Sequence, residues 1–225
     1  MVLKNKSEFL KKSTVTLDEI YDILSSLPAL PLDELPCDKT ALVIIDMING
    51  FAREGTLQSP RVEALIPSIA ALSKECGSRE IARLAFADNH TQASPEFDSY
   101  PAHCLAGTSE SEIVDELKSI GGYQLIPKNS TNGFLEDEFS QWIKHNSHIR
   151  NFIVAGDCTD ICIQQFAVTL KTWFNMKNEP SRIVVPINLV DTYDLGLHDA
   201  DLLNVSVLFS MQVSGIELVS HIRFD

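Results

Sequence analysis

Short apolar runs, each followed by an amphipathic stretch, constrain this chain more than any other feature of its sequence. The runs are ALVII (41–45), IARLAFA (81–87), YQLI (123–126), NFIVAG (151–156), RIVVPI (182–187) and IELVS (216–220). They are apolar almost throughout rather than at alternate positions, which marks strands buried on both faces. Between them the spacing of apolar residues predicts helices over 61–76, 109–119, 134–145, 160–175 and 198–211. The first of these carries Val62, Leu65, Ile66, Ile69 and Leu72 on one side. Strands that alternate with helices in this way predict an α/β three-layer sandwich. Its mostly parallel sheet is covered by helices on both faces, in a Rossmann-like architecture.

This domain is expected to occupy residues 39–225, with residues 1–38 as a helical extension. Thr16 and Glu19 have capping-box spacing, and Ile20, Ile23, Leu24 and Leu27 follow on one helical face. The stretch PALPLDELP then ends the helix.

Composition narrows the function. A net charge of −13, from 18 basic and 31 acidic residues, without a cluster of Lys or Arg, argues against a nucleic-acid partner. The start, MVLKNKSEFLKK, is charged, and no apolar run reaches the roughly 20 residues of a membrane span. The five cysteines, at 37, 76, 104, 158 and 162, are odd in number and irregularly spaced, as expected of thiols in a reducing compartment. A cytoplasmic protein with no membrane partner is expected. No Gly-rich fingerprint for a dinucleotide or a P-loop is present.

In parallel sheets ligands gather at the carboxyl ends of the strands. Asp46, Asp88, Lys128 and the loop 157–162 all fall at that edge. Cys162 lies in the first turn predicted after the strand 151–156, where helix N–H groups lower a thiol pKa and stabilise an oxyanion. The alternative for such a cysteine is inert packing under the sheet. Asp46 is placed to act as a general base, or to cap its own loop. Lys128 would favour a nearby thiolate. In the stretch 88–104, Asp88, His90, Glu96 and His103 offer two imidazoles and two carboxylates, a set suited to Zn, Fe or Mn, although polar loop composition accounts for the acids equally well.

Five segments together resemble the isochorismatase-like cysteine hydrolases, and within them the nicotinamidases: VIIDMINGF, LAFADNH, SYPAHCLAGT, LIPKNSTNGF and IVAGDCTDIC. The most specific is the run Val154, Gly156, Thr159, Asp160, Cys162, followed by Pro101, His103, Cys104, Gly107, Thr108. The resemblance implies a triad of Asp46, Lys128 and Cys162, and a cis peptide between Asp157 and Cys158 that aims the amides of Cys158 and Cys162 at an oxyanion. It implies a divalent metal on Asp88, His90 and His103, with Glu96 added as in some members, and Phe51 and Tyr100 flanking a substrate ring. It further implies a cysteine-dependent amidohydrolase turning nicotinamide into nicotinate and ammonia, and a homo-oligomer. Ile48, Gly50, Asn89 and Tyr100 depart from the residues common among relatives, so another small amide or ureido substrate stays open. A non-catalytic binding protein is the remaining alternative.

Overall fold

A computed structural model describes residues 5–224; residues 1–4 of the expected extension, and residue 225, lie outside the described residues. The chain begins with α1 (Lys6–Ser25), β1 (Leu30–Pro31), β2 (Thr40–Ile45), α2 (Asn49–Ala52), α3 (Pro60–Ser78) and β3 (Ala82–Asp88). It continues with α4 (Asp115–Ile120), β4 (Gln124–Lys128), α5 (Asp137–His145), β5 (Asn151–Asp157) and α6 (Gln164–Met176). The last elements are β6 (Arg182–Pro186), β7 (Val190–Asp191), α7 (Ala200–Val213), β8 (Glu217–Val219) and β9 (Ile222–Arg223).

All six predicted runs become strands of one sheet, in the order β4-β3-β2-β5-β6-β8, with the two-residue β7 added beside the end of β5. Every pairing is parallel. The order reverses at β2: β3 and β4 lie on one side of it, and β5, β6, β7 and β8 on the other. That reversal opens a crevice at the carboxyl ends of β2 and β5, the place where open α/β sheets bind ligands. There Ile45 sits opposite Gly156.

Burial explains why the runs are continuously apolar. Leu42 and Ile44 of β2 pack with Val62, Leu65, Ile66, Ile69 and Leu72 of α3 on one face. Ala41, Val43 and Ile45 pack on the other face with Phe166, Leu170 and Phe174 of α6, and with Leu208 and Met211 of α7. The two side-chain directions of each strand thus both meet helices.

Gly156, at φ +125°, is required by closeness: a Cβ there would stand 1.9 Å from the Ile45 carbonyl oxygen. The strands could not stay paired around a larger residue.

Two predicted helices differ from what forms. The stretch 109–119 yields only a short turn at Ser109–Ser111 and the six-residue α4. Its backbone is used elsewhere: Asn49 N donates to Glu112 O at 2.9 Å, Val114 N donates to Met47 O at 3.1 Å, and Ile48 bridges Ile113. Long-range pairing wins over local helix propensity. The N-terminal helix starts ten residues before Thr16, at Lys6. Asn5 caps it by accepting from Ser7 N and Glu8 N, while the Thr16 hydroxyl donates back to Lys12 O.

Residues before 39 are tied to the body on both faces of the sheet, with Leu30, Leu32 and Leu35 buried in the core on the α3 face. Ile20 and Leu24 of α1 join the core on the α6–α7 face. The strand β1 pairs with β9. No helix among the described residues is long and apolar enough to cross a membrane.

Candidate active site

Asp46 follows β2 in the left-handed region, at φ 55°, a conformation costly to a non-glycine residue and concentrated at functional sites. It is fixed there by its N–H, which donates to Phe86 O, and by its Oδ1, which accepts from Asp88 N at 3.0 Å. Asp88 and Lys128 end neighbouring strands and stand opposite each other in the register of β3 and β4. Parallel pairing alone therefore delivers three charged side chains to one point. All three are buried.

The Lys128 ammonium holds this cluster together. Its Nζ lies 2.8 Å from Asp46 Oδ2, in closer contact with Asp88 Oδ1, and 3.7 Å from Cys162 Sγ. It also donates to Ser130 O at 3.3 Å. Asp46 Oδ2 is near Lys128 but off the hydrogen-bonding direction, so this buried oxygen has a charge beside it and no donor. Burial first, then repulsion from Asp88, pushes the Asp46 carboxyl up to about 7, with Lys128 opposing. Burial would also raise Asp88. There the Lys128 ammonium and the two imidazoles outweigh it and hold the carboxyl well below the usual range. Lys128 is pushed far above its ordinary value, since Asp46, Asp88 and Cys162 together overcome its burial.

Cys162 departs from one expectation. Burial, followed by the nearby carboxylates, pushes its thiol well above the ordinary value, and Lys128 only partly offsets this. A thiol pushed in this direction calls for a base beside it, and Asp46 is the carboxylate within the same cluster. Its local backbone also differs from a plain first helical turn. Thr159–Ile163 form a single π-turn before α6 begins. The N–H groups of Ile161 and Ile163 both donate to Cys158 O, at 3.2 and 3.0 Å. Such turns recur at functional sites. The peptide between Asp157 and Cys158 is cis.

Asp88, His90, Glu96 and His103 also converge. One ligand atom from each lies within 4.8 Å of the others. His103 Nδ1 faces Pro101 O at 2.8 Å, and His90 Nδ1 faces Asn129 Oδ1 at 3.3 Å. These contacts use the Nδ1 positions as donors and leave both Nε2 atoms turned toward the carboxylates. His90 Nε2 is 3.5 Å from Asp88 and 3.7 Å from Glu96, and His103 Nε2 is 3.8 Å from Asp88. His90 Nε2 is buried without any hydrogen-bond partner. Two imidazole lone pairs and two carboxylates pointing at one another fit a divalent cation.

The cluster of Asp46, Lys128 and Cys162 and this ligand set share Asp88 and open into one cavity of about 300 Å³, counting the part open to solvent. Its walls include the expected Phe51, Tyr100, Cys158 and Cys162. They also include Leu57, Thr131, Ile161 and Tyr193, which sequence reasoning did not single out. Tyr193 follows the strand end Val190–Asp191, so the rule that found Asp46 and Asp88 applied to it too. The strand was too short to notice.

The departures at the first motif have a spatial reason. A Cβ on Gly50 would stand 2.6 Å from Cys104 Sγ and 3.0 Å from Glu110 O. Glu110 meanwhile accepts from Cys104 N at 2.9 Å, binding the metal-ligand loop to this corner. Ile48 is fully buried.

The family model of the Isochorismatase domain matches residues 40–213. The chain is 31% identical to Nicotinamidase 1 of Arabidopsis thaliana over 92% of its length and 98% of that protein. Its fold is similar to PnC1 from L. infantum in complex with nicotinate (TM-score 0.68, 19% identity, 86% of this chain and 98% of that chain). It is also similar to the pyrazinamidase of Pyrococcus horikoshii in complex with zinc (TM-score 0.66, 19% identity, 80% and 98%).

Proposed function

This chain belongs to the isochorismatase family, and from that premise we propose that it hydrolyses nicotinamide to nicotinate and ammonia through a thioester on Cys162. The observation that carries the reading is the buried contact of Lys128 with both Asp46 and Cys162, the last of which lines one cavity.

Asp46 Oδ2, an acceptor without a donor, takes the Cys162 thiol proton. Lys128 balances the negative charge passing between carboxylate and sulfur. The thiolate attacks the amide carbon, and the carbonyl electrons move onto oxygen. The amides of Cys158 and Cys162 receive that oxyanion, where a single donor is worth roughly 2.7–4 kcal/mol. As the tetrahedral centre collapses, Asp46 gives its proton to the nitrogen, which departs as ammonia and leaves a thioester. Asp46 then takes a proton from water, the hydroxide adds to the thioester carbon, and collapse returns the thiolate and releases nicotinate. Asp46 hands back the proton to sulfur.

Phe51 and Tyr100 flank the ring of the substrate. Asp88, His90, Glu96 and His103 are the residues that would hold a divalent metal such as Zn, Fe or Mn. When bound, it would supply a Lewis acid for the ring nitrogen and for water.

Cys162→Ala tests the scheme. Ammonia release from nicotinamide should fall by at least about a thousandfold, with the thermal unfolding profile close to that of the parent protein. Near-parental turnover in that variant would rule out the covalent route. If the unsubstituted protein releases ammonia from a ureido compound and not from nicotinamide, the substrate is wrong and the triad survives.

A further inference from the structure

Tyr193, which lines the cavity together with Cys158, belongs to a strap, residues 192–199, that is not part of the scheme above. Its start is pinned where β7 joins β5. Asp157 stands opposite Asp191 there, and Asp191 Oδ1 accepts from Thr192 N, Asn204 Nδ2 and Arg61 Nε at 2.8, 2.8 and 3.0 Å. Its end is pinned by Asp194, which accepts from Ala200 N at 2.9 Å. Between these points the strap turns back on itself. Leu195 and His198 exchange backbone hydrogen bonds at 3.0 and 2.9 Å around Gly196, whose φ of +61° suits glycine.

His198 joins this strap to the turn of the nucleophile. Its imidazole lies parallel to the Tyr193 ring, 4.0 Å between centroids and 3° between planes. Nδ1 faces Tyr193 O at 2.7 Å, and Nε2 faces Asp160 Oδ2 at 2.9 Å. Asp160 sits two residues before Cys162 in the π-turn. A carbonyl only accepts, so Nδ1 is the donor toward Tyr193 O. The parallel rings stack face to face, and the contact with Asp160 fixes the far side of the imidazole.

We propose that Tyr193 is a specificity-determining wall, facing the aromatic ring of the substrate, and that His198 and Asp160 are positioning residues that lock this wall to the Cys162 turn. Phe51, Leu57 and Tyr100 also line the cavity, so a flat ring would meet aromatic surfaces while a small aliphatic amide would leave them unfilled. Tyr193 and Tyr100 both line the cavity, and burial is the first cause that raises both phenols. The inference deepens the proposed amide hydrolysis and rests on it.

The experiment compares nicotinamide with isobutyramide, an amide without a ring. Tyr193→Ala should raise KM for nicotinamide about tenfold with kcat changed less than about twofold, and leave isobutyramide nearly unaffected. Tyr193→Phe, which keeps the ring, should restore the parental KM. His198→Ala should follow Tyr193→Ala in direction by a smaller factor, about threefold. An equal loss for both substrates, or a fall confined to kcat, would overturn the proposal, as would failure of Tyr193→Phe to restore binding. Protection of Cys162 from iodoacetamide by pyridine-3-carboxaldehyde and by isobutyraldehyde, mapped by mass spectrometry, gives a reading that needs no turnover. If the parent protein protects selectively with the aromatic aldehyde and Tyr193→Ala loses that selectivity, the wall stands even where hydrolysis of nicotinamide fails. If selectivity is unchanged, the wall is refuted.

Discussion

Two buried polar clusters meet at Asp88, and they handle charge in opposite ways. Around Lys128 the protein supplies its own counterions: one ammonium lies against two carboxylates. Around His90 and His103 it does not. Imidazole nitrogens there face carboxylate oxygens at 3.5–3.8 Å, and His90 Nε2 has no hydrogen-bond partner. An isolated charge in low dielectric is costly; the first arrangement carries a cation of its own, although Asp46 Oδ2 keeps no hydrogen-bond donor, and the second is one that a cation would complete. Asp88 serves both, so the Lys128 ammonium and the two imidazoles meet at one shared carboxylate.

The contrast breaks most sharply at Lys128. In Lys128→Met the two carboxylates lose their partner, so stability should fall by about 3–5 kcal/mol in denaturant unfolding, and turnover should vanish. Unchanged stability would mean that Lys128 does not neutralise the first cluster. His103→Ala strikes the second cluster alone. Metal content, read by plasma mass spectrometry, should drop well below one per chain, and nicotinamide turnover should suffer more than that of benzamide, which lacks the ring nitrogen. Equal losses for the two substrates would argue against ligation through that nitrogen. Asn129→Ala removes the contact that orients His90, along with a longer one from Thr91 N at 3.4 Å, and should weaken metal affinity about 10–100-fold while the Lys128 cluster keeps its stability. A variant with unaltered metal affinity would show that the His90 ring is held by packing alone.

How much of this was legible in the chain depends on the kind of signal. Asp46, Asp88 and Lys128 could be placed together because each follows an apolar run, and parallel strands end at a common edge. The ligand set could be written down from Asp88, His90, Glu96 and His103, whose types suit one ion. Tyr193, Thr131 and His198 gave no such sign. The strand before Tyr193 has two residues, too few for any period to register. His198 acquires its role only by reaching Asp160, 38 positions earlier. The upward direction of the Cys162 thiol was hidden for a related reason. Sequence places a helix beginning and a lysine near the thiol, but burial raises its pKa and the sequence does not state how deeply it is buried.

The sequence by itself determined the sheet, the helices on its two faces and the edge where charged residues collect, because apolar period and strand ends are local properties. Only the tertiary structure decided which strands are neighbours, and so where the order reverses at β2 and which carboxylate Lys128 shares. It also turned residues 109–114 away from helix, by offering their backbone partners in 47–49 that no local rule contains. Distances between charges, and the depth at which they are buried, exist only once distant segments meet.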